Sequence, residues 1–225
     1  MDAEEIVSEL RALANPANVE GMARYGISPV NTLGVSIPAL RALAKRAGRD
    51  HALAQQLWDT GIHEARILAA MVDEPAKVTK RQMDRWAADF DSWDIVDGCC
   101  GTLFDRTPHA YDKALQWSHS RREYVKRAGF VLMTQLAVHD KKAPDESMRQ
   151  FLPVILRESG DERNFVKKAV NWALRQIGKR NRRLNAAAVA TAHEIIALNT
   201  RSGRWIARDA LRELQSDAVQ RRLKS

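Results

Sequence analysis

The chain has 225 residues, enough for one domain or an elongated repeat array with a sizeable core. Its 45% hydrophobic content excludes general disorder, and charged residues interrupt every apolar run before it reaches membrane-spanning length. The net charge of +8 is lopsided: residues 1–120 carry 13 Lys and Arg against 17 Asp and Glu, residues 121–225 carry 23 against 11, and such a basic half suits a polyanion, nucleic acid before others.

The opening MDAEEIVSELRALANP is acidic and amphipathic, which fits neither a signal peptide nor a transit peptide. Ile6, Val7, Leu10 and Leu13 recur at helical spacing, and Asn15-Pro16 ends the run. Pro38, following Ser36, opens PALRALAKRAG, which stops at Gly48. DHALAQQLWDTG starts on an aspartate cap and ends at Gly61. IHEARILAAMVDEP stops before Pro75, and TKRQMDRWAADF follows with Thr79 as its cap. Alternating β-branched and aromatic runs are missing, so the chain reads as all-α with short connections.

The next helix, in DSWDIVDGCCGTLF, places an acid where none is required. Asp91 or Ser92 caps its start, and Asp94 in the first turn suits the positive end of the helix dipole. Asp97 lies a turn further in, four residues after Trp93 and on the same side. Val96, Cys99 and Leu103 form the apolar face, with Trp93, Asp97, Cys100 and Phe104 in a neighbouring column. Asp97 therefore stands at the rim of the core, either as a structural acid paired with a residue such as Arg127 or as a functional carboxylate. Gly98 and Gly101 lower helix propensity but permit close approach by a ligand or a packed helix. A bridge between the adjacent Cys99 and Cys100 would be strained, so both read as reduced, core-filling thiols of a cytoplasmic protein. Neither a metal site nor a cofactor is implied.

A repeat emerges in the second half. VKRAGFVLMTQL begins at Val125 and VKKAVNWALRQI at Val166; ARDALRELQS joins them if Ala128, Ala169 and Ala210 are equivalent, at steps of 41 residues. That period belongs to helical hairpins of the HEAT and armadillo type, and HEARILAAMVDE looks like a diverged earlier copy. The expected fold is an all-α HEAT-like α-α superhelix, a curved solenoid of antiparallel helix pairs forming one domain over 1–225.

On the helix from Val166 to Arg180, Val166, Ala169, Val170, Ala173 and Ile177 share the core face. Lys168, Trp172, Arg175 and Lys179 form a second stripe, a tryptophan interleaved with three cations. Such a stripe grips a phosphate backbone while the indole meets a sugar or base; the plainer reading is a Trp packed between repeats beneath snorkelling cations. The last helix aligns Arg201, Arg204, Arg208 and Arg212 without a matching acidic row, which reads as phosphate contacts without base specificity. Arg127 either pairs with Glu123 at i, i+4 or lines the same groove as Trp172 from the corresponding repeat helix.

At these residues the sequence resembles the AlkD-like DNA alkylation repair family, HEAT-like-repeat DNA glycosylases that remove positively charged alkylated purines. SWDIVD with Trp93 and Asp97, VKRAGF with Arg127, and NWALRQIGKRN with Trp172 and Arg175 carry the resemblance; MARYGIS and LGVSIPALR add Tyr25 as a groove-lining aromatic. It covers roughly residues 20–215, and Ser36 stands where the family carries a longer polar side chain. The resemblance implies that Asp97, Trp93 and Trp172 form the reaction centre. It places Tyr25 and Arg127 in the DNA groove, and together with the basic stripes of Lys168, Arg175 and Lys179 and of Arg204, Arg208 and Arg212 they are expected on double-stranded DNA containing alkylated bases. It further implies a lesion that stays largely stacked, without conventional base flipping, and an enzyme expected to act as a monomer.

A cationic alkylpurine leaves without a general acid, so the implied chemistry asks only for a carboxylate beside the deoxyribose as it becomes oxocarbenium-like. Two other readings stand beside it: a non-catalytic HEAT-repeat protein that binds damaged or distorted DNA, and a protein-binding HEAT adaptor, which the basic stripes disfavour.

Overall fold

Asp2 opens the first helix with a reciprocal cap: its side chain accepts the Glu5 amide at 2.9 Å, and the Glu5 carboxylate accepts the Asp2 amide at 3.0 Å. The computed structural model describes residues 1–223, and among them fifteen α-helices and two short 3-10 turns are joined without a strand. By packing, the chain divides into two compact units, one over Met1–His109 and one from Ala110 onward.

The first unit holds α1 (Ala3–Ala12), α2 (Pro16–Arg24), α3 (Ile37–Ala47), α4 (His51–Asp59), α5 (His63–Val72), α6 (Lys80–Ala88) and α7 (Trp93–Thr102). Asn15-Pro16 both ends α1 and begins α2, because the Asn15 side chain accepts the Asn18 amide and Pro16 supplies the fixed φ of a first helical residue. Asp50 and Thr79 cap α4 and α6 as their sequences require, accepting the Leu53 and Gln82 amides at 3.0 and 3.1 Å. Helix α5 is buried nearly all round and packs against α3, α4 and α7, which is why HEARILAAMV carries so few surface residues. Trp58 and Trp86 stack face to face, centroids 4.0 Å apart, with Phe90 and Phe104 at their edges, and this aromatic cluster joins α4 and α6 to the turn after α7.

The second unit holds α8 (Ala110–Ser118), α9 (Glu123–His139), α10 (Asp145–Arg149), α11 (Leu152–Glu158), α12 (Asn164–Gly178), α13 (Arg182–Ala197), α14 (Arg201–Leu214) and α15 (Asp217–Gln220). Helix pairs α8–α9, α11–α12 and α13–α14 pack as hairpins; α12 lies between α9 and α14 in one row, while α11 contacts α8 and α13 in the other. Ala128, Ala169 and Ala210, the residues that aligned the three repeats, are all fully buried. Small residues there let successive helices of the first row approach closely. Gly129 does the same for α8 and α9: a Cβ on it would lie 2.6 Å from the Ser118 nitrogen.

Candidate nucleic-acid interface

In the first unit, α7 runs from surface to core along a single column. Cys100, and Phe104 in the turn that follows, are fully buried, whereas Asp97 and Trp93, one and two turns nearer the helix start, are half-buried. Both line a cleft of about 700 Å³ with Met22, Tyr25, Ile27 and Ile67. Tyr25 is 75% exposed at the end of α2, and its carbonyl accepts the Trp93 Nε1–H at 3.0 Å, which fixes the indole at the cleft's edge. Asp97 is thus on a cleft wall, one turn along the helix from Trp93, and not sealed in the core.

Polar groups that the sequence did not single out build this cleft. His63, the first residue of α5, is 3% exposed, and its Nε2 lies 2.8 Å from Asp94 Oδ2. Burial would lower its pKa, but the hydrogen bond and charge of Asp94, with Glu64 and Asp91 near, raise it above the ordinary histidine value. Glu64 is 1% exposed, and its carboxylate accepts the amides of Leu33, Gly34 and Val35 at 2.9, 2.6 and 3.2 Å. This pins the segment ahead of α3, where Gly34 adopts φ +76° with the Asn15 carbonyl against its Cα; a side chain has no room there. Ser92 occupies the cap position of α7, but its hydroxyl accepts the Ser28 amide at 2.9 Å and not one from the helix. Asp94 therefore does more than complement a helix dipole: it holds His63.

The second unit carries the basic stripes, and there the expectation needs correction. Lys168 is exposed and Trp172 half-buried on α12. Arg175 and Lys179 both reach Glu213 of α14: Arg175 Nη1 donates to one oxygen, and Lys179 Nζ to the other at 2.6 Å. Asp209 stands 3.8 Å from Arg175 Nε and accepts from Arg212 as well. So α14 does have an acidic row, Asp209 and Glu213, turned toward α12 beside the arginines. Arg204 donates to the Asn199 carbonyl and side chain at 2.9 and 2.6 Å, while Arg208 is exposed. Arg127 is only 6% exposed, its Nη1 donating to the Phe165 carbonyl at 2.7 Å, so most of its guanidinium ties α9 to α12 and little of it faces solvent.

Burial pushes the Cys99 thiol far above its usual range, and both cysteines are fully buried outside any disulfide, as core-filling thiols should be. Among the described residues no group of three or more His, Cys, Asp or Glu side chains is placed to hold a metal ion, and no helix is long and apolar enough to cross a membrane. The sequence reading also passed over Trp205, 43% exposed on α14. Its position among arginines was the available signal.

An all-helical chain whose second half stacks hairpins at a constant period is a HEAT-like repeat protein. Its fold matches a solved structure described as belonging to "a new family of proteins related to the HEAT-like repeat DNA glycosylases with affinity for branched DNA structures". The TM-score is 0.77 at 24% identity, over 86% of this chain and 83% of that one. The family model for DNA alkylation repair enzymes matches residues 6–214, and the chain belongs to that family. A relative from Listeria innocua serovar 6a, the uncharacterized protein Lin0241, is 22% identical over 136 residues, 59% of this chain. The match spans 61% of the relative's own length, less than two thirds.

Proposed function

We propose that the protein is a DNA glycosylase that hydrolyses the N-glycosidic bond of cationic N3- or N7-alkylpurines in duplex DNA. The observation that carries this reading is the half-buried carboxylate of Asp97 on the wall of an aromatic-edged cleft. An alkylated purine already bears positive charge, so the C1′–N bond breaks with its electron pair going to the base, which leaves neutral. The deficit appears on the deoxyribose. A fixed carboxylate beside C1′ stabilises that cation where it develops and orients the water that then adds to C1′, whose proton passes to the carboxylate or to solvent. Removing one comparable preorganised group costs roughly 100- to 1,000-fold in rate. The Trp93 indole, held by the Tyr25 carbonyl, offers its negative face to the same developing charge. The family resemblance assigns Trp172 a part in the reaction as well. Lys168, Arg204, Arg208 and Arg212 supply phosphate contacts from the second unit, with Arg175 and Lys179 available when they leave Glu213.

The test is release of 7-methylguanine from methylated duplex DNA. Wild-type protein should free the base; Asp97→Asn should keep duplex affinity and lose release by at least about 100-fold. Unchanged release by that variant removes Asp97 from the mechanism. Trp172→Ala should reduce both binding and release. A second reading, a non-catalytic protein that binds distorted DNA, is favoured by the description of the structural relative as having affinity for branched DNA. It predicts binding with no release from any methylated substrate.

A further inference from the structure

Trp205 is a large aromatic side chain left 43% exposed. It lies on α14 with Arg201 four residues before it, Arg208 three after and Arg212 seven after on the same side of the helix, and with Arg204 on the adjoining side. These four arginines, Trp205 and Asp209 surround a recess of about 450 Å³. Lys167 of α12 sends its ammonium to 5.1 Å from the indole centroid. Five cations thus surround one exposed aromatic ring. The acids facing them are Asp209, taken up by Arg212 and Arg175, and Glu162, whose carboxylate accepts the Ser202 amide at 3.0 Å and lies near Arg201 and Lys167. Counting these seven groups leaves the recess with three positive charges in excess.

An exposed tryptophan at a protein–protein contact is ordinarily ringed by residues that exclude water. This one is ringed by guanidiniums, which demand an anion beside the ligand's flat apolar face. A nucleotide is such a ligand, and a recess of this size falls in the range of roughly 300–1,000 Å³ typical of small-ligand sites. Inside a duplex, away from its ends, each base is already stacked on both neighbours and has no face to offer. We propose that the Trp205 recess binds an unpaired nucleotide of a DNA tail, gap or junction, with the base stacked on the indole and its phosphates against Arg201 and Arg208. Arg204, tied to Asn199, and Lys167, over the ring, hold the walls of the site. The inference deepens the reading that the protein binds DNA, since it concerns which DNA structure is preferred.

The experiment compares, by fluorescence anisotropy with the full chain, a blunt duplex and the same duplex carrying a short oligothymidine tail. The tail should strengthen binding about tenfold, as one stacked base does elsewhere. Trp205→Ala should abolish the gain while leaving blunt-duplex binding measurable, and Trp205→Phe should retain most of it. A 2-aminopurine in the tail should be quenched on binding wild-type protein and not on binding Trp205→Ala. Blunt-duplex binding reports on the general DNA reading, and the tail gain reports on this site. Blunt-duplex binding without a tail gain, or a gain that survives Trp205→Ala, overturns the recess alone. No binding to either DNA overturns both. Trp205-dependent binding of oligoglutamate at equal strength would also overturn it, because the base would then be irrelevant.

Discussion

Glu213→Gln should make DNA binding more sensitive to salt. In the folded protein, Arg175 and Lys179 share the Glu213 carboxylate, so the three groups together carry one positive charge. Burial opposes ionisation of Glu213, but hydrogen bonds from Lys179 and Arg175 hold its carboxyl below the usual range, so it is anionic at neutral pH. Glutamine removes the negative charge while keeping an acceptor, and the cluster rises to two positive charges. If it lies against the phosphate backbone, about one further counterion is released on binding. The slope of log K against log salt then steepens by about 0.9, so affinity falls about 3.5-fold more between 50 and 200 mM salt. The stability cost is small, since ion pairs this exposed contribute at most about 1 kcal/mol. Anisotropy titrations at four or five salt concentrations measure the slope, and a thermal melt confirms folding. Arg175→Gln should shift the slope in the opposite direction. Identical slopes for wild type and Glu213→Gln would refute the placement of this cluster on DNA.

Other expectations concern the first unit's cleft and the helix crossings. Because the His63 pKa is raised on folding, its contribution is full below the ordinary value of 6.5 and is lost as pH rises through the folded value. Urea midpoints should therefore fall as pH rises above the ordinary histidine value more in wild type than in His63→Gln, and parallel profiles would deny the histidine this role. Glu64→Ala strands three backbone amides and should cost roughly 3 kcal/mol or more in urea denaturation; a cost below 1 would mean water replaces the carboxylate without loss. A Cβ on Gly98 meets nothing within 4 Å, so Gly98→Ala should stabilise by about 0.5–1 kcal/mol. Gly129→Ala drives a methyl into the α8 backbone and should destabilise by about 1–3 kcal/mol, with thermal melts deciding both signs.

Local signals in the sequence determined a great deal. The caps Asp50 and Thr79, the stop at Gly61 and the 41-residue alanine register each reported on a few neighbouring residues, and helical spacing alone put Trp93 and Asp97 in one column. Helix α2 escaped because Asn15-Pro16 reads equally well as a stop and as a start. What the tertiary structure decided is which partner each side chain meets. Glu213 answers Arg175 across 38 residues, Asp94 answers His63 across 31, and Glu64 reaches back 29 to 31 residues to three amides. The Arg175–Glu213 separation is close to the 41-residue repeat, the distance at which stacked helices of the second unit bring residues together. Periodicity gives the side of a helix on which a residue lies. Only the packing of one helix against the next settles whether a basic stripe is neutralised, a guanidinium buried, or an indole left for a ligand.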